Sequence, residues 1–156
     1  AIILDHMIAG IENRFRDLEQ TARQLKLFRD TINGMLEDKA IEFEVNERWP
    51  HRGKGGLKVL DEKGRAIPLT ALSSGEQHLI VMFGHILFAS GLSAGGIVSL
   101  DEPEISLHPE WQIAVTDALK KVAAINDCRM LLATHSPTMI GDDWSSEIAL
   151  SRTSET

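Results

Sequence analysis

Apolar residues recur every three or four positions from Ile8 to Met35. Ile8, Ile11, Phe15, Leu18, Ala22, Leu25, Phe28, Ile32 and Met35 draw one stripe along a helix whose other faces carry Glu, Arg, Gln and Lys. The spacing therefore predicts a long helix over 2–38. Such a helix is either a coiled-coil arm or a helix laid on its own domain; Gly10, Gly34 and the small number of heptads favour the second. Alternation in Ile41-Glu42-Phe43-Glu44-Val45 predicts a half-buried strand. Residues 48–56, rich in glycine and charge, form a turn rather than a phosphate cradle, since neither the spacing nor a following apolar helix supports the cradle. Leu57–Leu60 and Ala66–Leu69, either side of Asp61-Glu62-Lys63-Gly64-Arg65, predict a hairpin in which Gly64 supplies the positive φ.

The second half alternates buried strands with helices. Ser73 with Glu76, and Ser74 with Gln77, have capping-box spacing, so a helix starts there and runs to about Ser90. The short apolar run from Ile97 ends in Asp101-Glu102 and is stopped by Pro103, which predicts a buried strand with two acids at its tip. Pro109–Ile125, bearing Trp111, Ile113, Val115, Leu119 and Val122, reads as a helix with proline in its first turn. Met130–Thr134 is a second buried strand, ending at His135-Ser136-Pro137, and Glu147–Leu150 a final short one. Two parallel strands joined by a helix bring Asp101, Glu102 and His135 to one end of the sheet, where open α/β sheets bind ligands.

Composition narrows the class. The chain has 156 residues, 43% hydrophobic and 25% charged, enough for one globular domain with a core. Its only cysteine, Cys128, sits in an apolar-flanked run, so a buried thiol and a reducing, cytoplasmic setting are expected. No apolar run reaches the roughly 18 residues of a membrane span, and the first residues lack the pattern of a signal peptide. The net charge of −7 is uneven: residues 1–65 hold 12 basic and 12 acidic side chains, 66–156 hold 4 and 11. The second part alone is a poor surface for nucleic acid.

The chemistry lies in three places. Asp101 and Glu102 suit a hard cation and a water, because Mg²⁺ binds through one or two carboxylates plus substrate phosphates; a strand end with solvated acids is the plainer alternative. Hydroxyls and free amides at Ser73 and Ser74 make a helix N-terminus able to hold a phosphate, where the plainer alternative is a well-capped helix. His135 at a strand end is a candidate phosphate or water ligand, although a lone histidine is more often structural.

Taken together, and in this order, these stretches resemble ABC-class ATPases. Leu72–Gln77 resembles their signature motif, Ile97–Glu102 their Walker B strand, and Ala133–Pro137 their switch-histidine loop. Asp101-Glu102-Pro103-Glu104 followed by Leu107-His108-Pro109 is similar to the RecF/OLD-like, SMC-related branch of AAA-type ATPases, found in DNA repair and anti-phage defence. The resemblance implies an α/β fold: the C-terminal lobe of an ABC-type P-loop ATPase, with parallel strands flanked by helices, after a long helix and a small antiparallel β segment. Residues 1–39 would be the helical arm and 40–156 the ATPase part. It implies ATP and Mg²⁺ as ligands, with Asp101 holding the metal through water, Glu102 as general base and His135 on the γ-phosphate. Ser73, Ser74, Gly75, Glu76 and Gln77 would form the signature contact with nucleotide on a second head of a homodimer. Ser106, Leu107 and His108 lie where the family's D-loop crosses between heads; His108 departs from the transporter pattern.

No Gly-x-x-x-x-Gly-Lys-Ser/Thr stretch occurs in these residues. The expectation is that the P-loop half lies elsewhere in the same protein, and that this part alone binds ATP poorly and is inactive. A different class of reading is a nucleotide-gated scaffold, which clamps two heads and positions a nuclease, with or without DNA, and needs no turnover. A transporter ATPase is disfavoured by Leu107-His108-Pro109.

Overall fold

A computed structural model describes residues 2–44, 56–88, 95–141 and Ile148, with side chains from Ala9 onward. The turn expected at 48–56, apart from Gly56, and the strand expected at Glu147–Leu150, apart from Ile148, lie outside the described residues. The chain opens with α1 (Ile2–Asn33), then β1 (Lys39–Phe43), β2 (Leu57–Asp61) and β3 (Ala66–Ile67). A single 3-10 turn (Leu69–Ala71) leads into α2 (Ser74–Phe88), followed by β4 (Ile97–Asp101), α3 (Pro109–Asn126), β5 (Arg129–Ala133) and the short α4 (Pro137–Ile140).

Only the last part of α1 packs on the domain. Phe28, Ile32, Met35 and Leu36 are buried, whereas every side chain from Ala9 to Arg23 is exposed. The predicted stripe continues through the exposed stretch, with Phe15 at 69% and Leu18 at 67% exposure. The expectation of a helix laid along its own domain therefore holds only near its end, because periodicity names the apolar face and not what covers it. Gly10 does not break the helix, and Gly34 lies just past its last turn. There the Asn33 side chain clamps Ile41: its Nδ2 donates to the Ile41 carbonyl at 3.2 Å and its Oδ1 accepts the Ile41 amide at 2.7 Å. Farther up, Gln24 Nε2 donates to Asn126 Oδ1 at 2.8 Å, and Asn126 Nδ2 donates to the Ile86 carbonyl at 3.2 Å. α1, α2 and α3 meet at this buried polar joint.

β1, β2 and β3 form an antiparallel sheet in that order, with Ile41 opposite Val59. In its connection, Asp61 Oδ1 accepts the amides of Lys63 and Arg65 and Gly64 takes φ +71°. Ile41 and Val59 on this sheet, Phe28 and Ile32 of α1, and Leu79 and Phe83 of α2 share one core. That core runs on into α3 through Val115, Leu119 and Val122.

β4 and β5 pair in parallel, Asp101 opposite Ala133. Val98, Leu100, Met130 and Leu132 are half-buried, but the other face, with Ile97, Ser99, Leu131 and Ala133, is open. Both strands were expected to be buried on both faces. The correction follows from the residue types: a continuous apolar run has no two-residue period to report that one face is exposed among the described residues. Cys128 is half-buried, and burial, then the Asp127 charge, pushes its thiol pKa up. None of the described helices is long and apolar enough to cross a membrane.

Candidate functional site

The two parallel strands end side by side, and the chemistry collects past their tips. The Glu102 amide donates to the Ala133 carbonyl at 2.8 Å, adding one rung beyond β4. Glu102 then turns into the left-handed region at φ 45°, with Pro103 buried behind it. This turn swings the carboxylate toward the next loop, so Glu102 Oε1 stands 3.6 Å from His135 Nε2. Asp101 is exposed one residue earlier. Asp101, Glu102 and His135 thus share one end of the paired strands, as their order in the sequence implies.

Glu104 ties the two loops together. Its Oε1 accepts the Thr134 hydroxyl at 2.6 Å and the His135 amide at 2.9 Å. Thr134 Oγ1 in turn accepts the Ser136 amide at 3.0 Å, and Ser136 Oγ donates to Gln112 Oε1 at 2.6 Å. Burial pushes the Glu104 carboxyl up, but the Thr134 hydroxyl and the amides of Glu104, His135 and Ser136 more than offset it and hold it below its ordinary value. A carboxylate accepting several hydrogen bonds stays ionised for this reason. In the sequence Glu104 stands out only as the last residue of Asp101-Glu102-Pro103-Glu104. Its partner Thr134 is 30 residues away, and only the strand–helix–strand topology could have linked them.

Of the two capping-box spacings at the start of α2, Ser73 with Glu76 closes, whereas the Gln77 side chain turns to the Leu72 and Leu69 carbonyls instead of Ser74. The Ser73 amide donates to Glu76 Oε2 at 2.6 Å, and the Glu76 amide donates to Ser73 Oγ at 3.3 Å, a closed capping box. Lys39 of β1 adds 2.9 and 3.2 Å contacts to the two Glu76 oxygens. Burial raises the Glu76 carboxyl, yet Lys39 and the Ser73 groups outweigh it, so the net shift is downward. Both carboxylate oxygens of Glu76 are thus spent on the protein. Gln77 likewise donates to the carbonyl of Leu72 at 2.9 Å. Ser73 and Ser74 face solvent, while Gly75 is buried.

Gly75 brings this turn against the loop after β4. A Cβ at Gly75 would lie 2.5 Å from the Ser106 carbonyl oxygen and 3.4 Å from the Trp111 ring. Only glycine fits so close a backbone approach. Ser106 is itself left-handed, φ 66°, and Leu107 beside it is buried. His108, exposed and capping α3 without a side-chain hydrogen bond, stands 4.0 Å from Glu110.

A family model described as an AAA ATPase domain matches residues 3–140. Among curated proteins, the retron Vc95 probable ATPase of Vibrio cholerae serotype O1 biovar El Tor is 28% identical over 88% of this chain. The retron Ec83 probable ATPase of Escherichia coli is 22% identical over 78%. The chain spans 27% of the length of each. Among solved structures, an SMC head bound to the C-winged helix domain of ScpA matches 74% of this chain and 35% of its own, at TM-score 0.53 and 17% identity. An SMC ATPase, described in terms of ATP-driven dimerization and DNA-stimulated activation, matches 83% of this chain and 75% of its own, at 0.50 and 14%. These likenesses give the fold: a mixed α/β arrangement similar to SMC ATPase heads.

Proposed function

The chain belongs to the AAA ATPase domain family, and from that footing we propose that residues 40–156 supply the signature and Walker B part of a head that binds and hydrolyses ATP. Residues 1–39 are its helical arm. One observation carries the reading: Glu102 and His135, from different loops, face each other at 3.6 Å beside the exposed Asp101, at the end of paired parallel strands.

Each residue then has a task its surroundings allow. Among the described residues no ion pair or hydrogen bond occupies the Asp101 carboxylate, and an unengaged strand-end carboxylate is a donor that fits Mg²⁺, which binds through one or two carboxylates and keeps several waters. Asp101 would hold that ion through water; when bound, the metal neutralises charge on the phosphates. Glu102, half-exposed and turned off the strand, acts as general base on the attacking water. His135 contacts the γ-phosphate. Phosphoryl transfer asks mainly for such positioning. Ser73, Ser74 and Gly75 at the capped start of α2 meet nucleotide held by a second copy of the head, with Glu76 and Gln77 shaping the turn. The SMC ATPase described as dimerising with ATP supports a paired assembly. The lysine and amide cradle of a P-loop comes from another segment of the same protein, so this part alone binds ATP weakly.

The setting we propose is DNA repair or anti-phage defence, beside DNA and a nuclease partner. The retron names of both curated relatives support a defence-type accessory ATPase. The test is Glu102→Gln in the full-length protein, with ATP retention and phosphate release measured together. Turnover should fall by about 10²–10⁴-fold, the usual worth of a general base, while ATP is retained. Unchanged hydrolysis would sink the assignment. Lost turnover with biological function intact would instead favour clamping without catalysis.

A further inference from the structure

The turn from Glu102 to Leu107 is held in a costly shape. Glu102 and Ser106 both adopt positive φ, which side chains other than glycine rarely do, and Glu104 Oε2 is buried with no hydrogen-bond partner among the described residues. Such features persist only where neighbours over-determine them, and they concentrate at working sites. The neighbour here is the histidine loop. Glu104 Oε1 takes both the Thr134 hydroxyl and the His135 backbone amide, and the chain of bonds continues through Ser136 to Gln112 of α3.

We infer that Glu104 is a positioning residue, a latch that fixes the loop bearing His135 to the turn bearing Glu102 and so sets the distance between their side chains. His135 needs such a latch because its own side chain is 91% exposed, with Glu102 at 3.6 Å its one ion-pair neighbour among the described residues. Its backbone amide is the part that a hydrogen bond holds among the described residues. Glu104 does not reach the reacting atoms; it decides where two groups that do will stand. Thr134 is the second half of the latch, since its hydroxyl donates to Glu104 while accepting the Ser136 amide. The kinetic part of this inference rests on the ATPase reading above; the structural part does not.

The experiment uses the full-length protein carrying Glu104→Ala, Thr134→Val, both together, and Glu104→Gln, which keeps one acceptor oxygen. Amide exchange at His135 is read first. It should accelerate about tenfold in Glu104→Ala, the loss of one hydrogen bond, and return toward the parent rate in Glu104→Gln. In ATP hydrolysis, kcat should drop about 10–100-fold in Glu104→Ala, as misplacement of a reacting group by up to about 1 Å does, with KM for ATP within about twofold. Thr134→Val, which leaves the charge in place, should show the same split more weakly. The double variant should be no slower than the slower single, because both remove one latch. Unchanged His135 exchange in Glu104→Ala overturns the latch, as do multiplied kcat losses in the double variant. If Glu102→Gln leaves turnover untouched, the ATPase reading fails while the exchange result still decides the latch.

Discussion

Two glycines on one helix should answer the same substitution with opposite signs. At Gly84 of α2 an added Cβ would meet only the Phe28 ring edge at 3.8 Å, ordinary contact. Gly84→Ala then gains helix propensity, about 1 kcal/mol, and for a chain of this size that raises the melting temperature by roughly 2–4 °C. At Gly75 the same methyl meets the Ser106 carbonyl oxygen at 2.5 Å. The obstacle is backbone, anchored on one side by buried Leu107, so it cannot swing aside as a flexible side chain would. Overpacking of this kind costs up to about 3 kcal/mol. Gly75 is the second residue of α2, where the propensity gain is at most the roughly 1 kcal/mol of a helix interior, so a net loss of at least about 2 kcal/mol remains, or a fall of roughly 4–8 °C. Differential scanning calorimetry of the two variants beside the parent measures both. A Gly75→Ala protein that melts as high as Gly84→Ala would show that the α2 start and the Ser106 loop do not touch, and the argument built on their approach would go.

The core and the arm should separate as cleanly. Phe83→Ala, at a fully buried position, should cost about 3–5 kcal/mol, whereas Phe15→Ala on the exposed arm should stay within about 0.5 kcal/mol; urea titrations compare them, and equal losses would mean the arm is packed. For pH, Glu76 is lowered from its ordinary 4.5. A carboxyl with a lower pKa folded than unfolded stabilises the fold above the unfolded value, and that stability disappears as pH falls from 4.5 through the folded pKa. Lys39→Met should flatten this part of the acid profile of melting temperature, and an unaltered slope would count against the Lys39–Glu76 pair.

What the sequence disclosed was local or repeated. The capping box joins Ser73 and Glu76, three positions apart, and both of its hydrogen bonds form because neighbouring atoms decide them. Asp101 and His135 could be placed at one sheet end because a strand–helix–strand unit has few ways to close. Contacts between distant residues were not visible. Lys39 and Glu76 are 37 residues apart, and neither residue's type advertises the other. Glu104 with Thr134 belongs to the same class. The uncovered face of β4 and β5 escaped for another reason. Leu100 and Leu131 look alike in sequence, yet one lies against the core and the other faces outward, and only the layer above them distinguishes the two.

The polar joint of Gln24, Asn126 and Ile86 makes the meeting of three helices depend on one side chain. Asn126 accepts from Gln24 and donates to the Ile86 carbonyl, so cutting it back to alanine strands a donor on α1 and an acceptor on α2 at once. Replacing Gln24 removes only the first of the two bonds, and the buried Ile86 carbonyl keeps its partner.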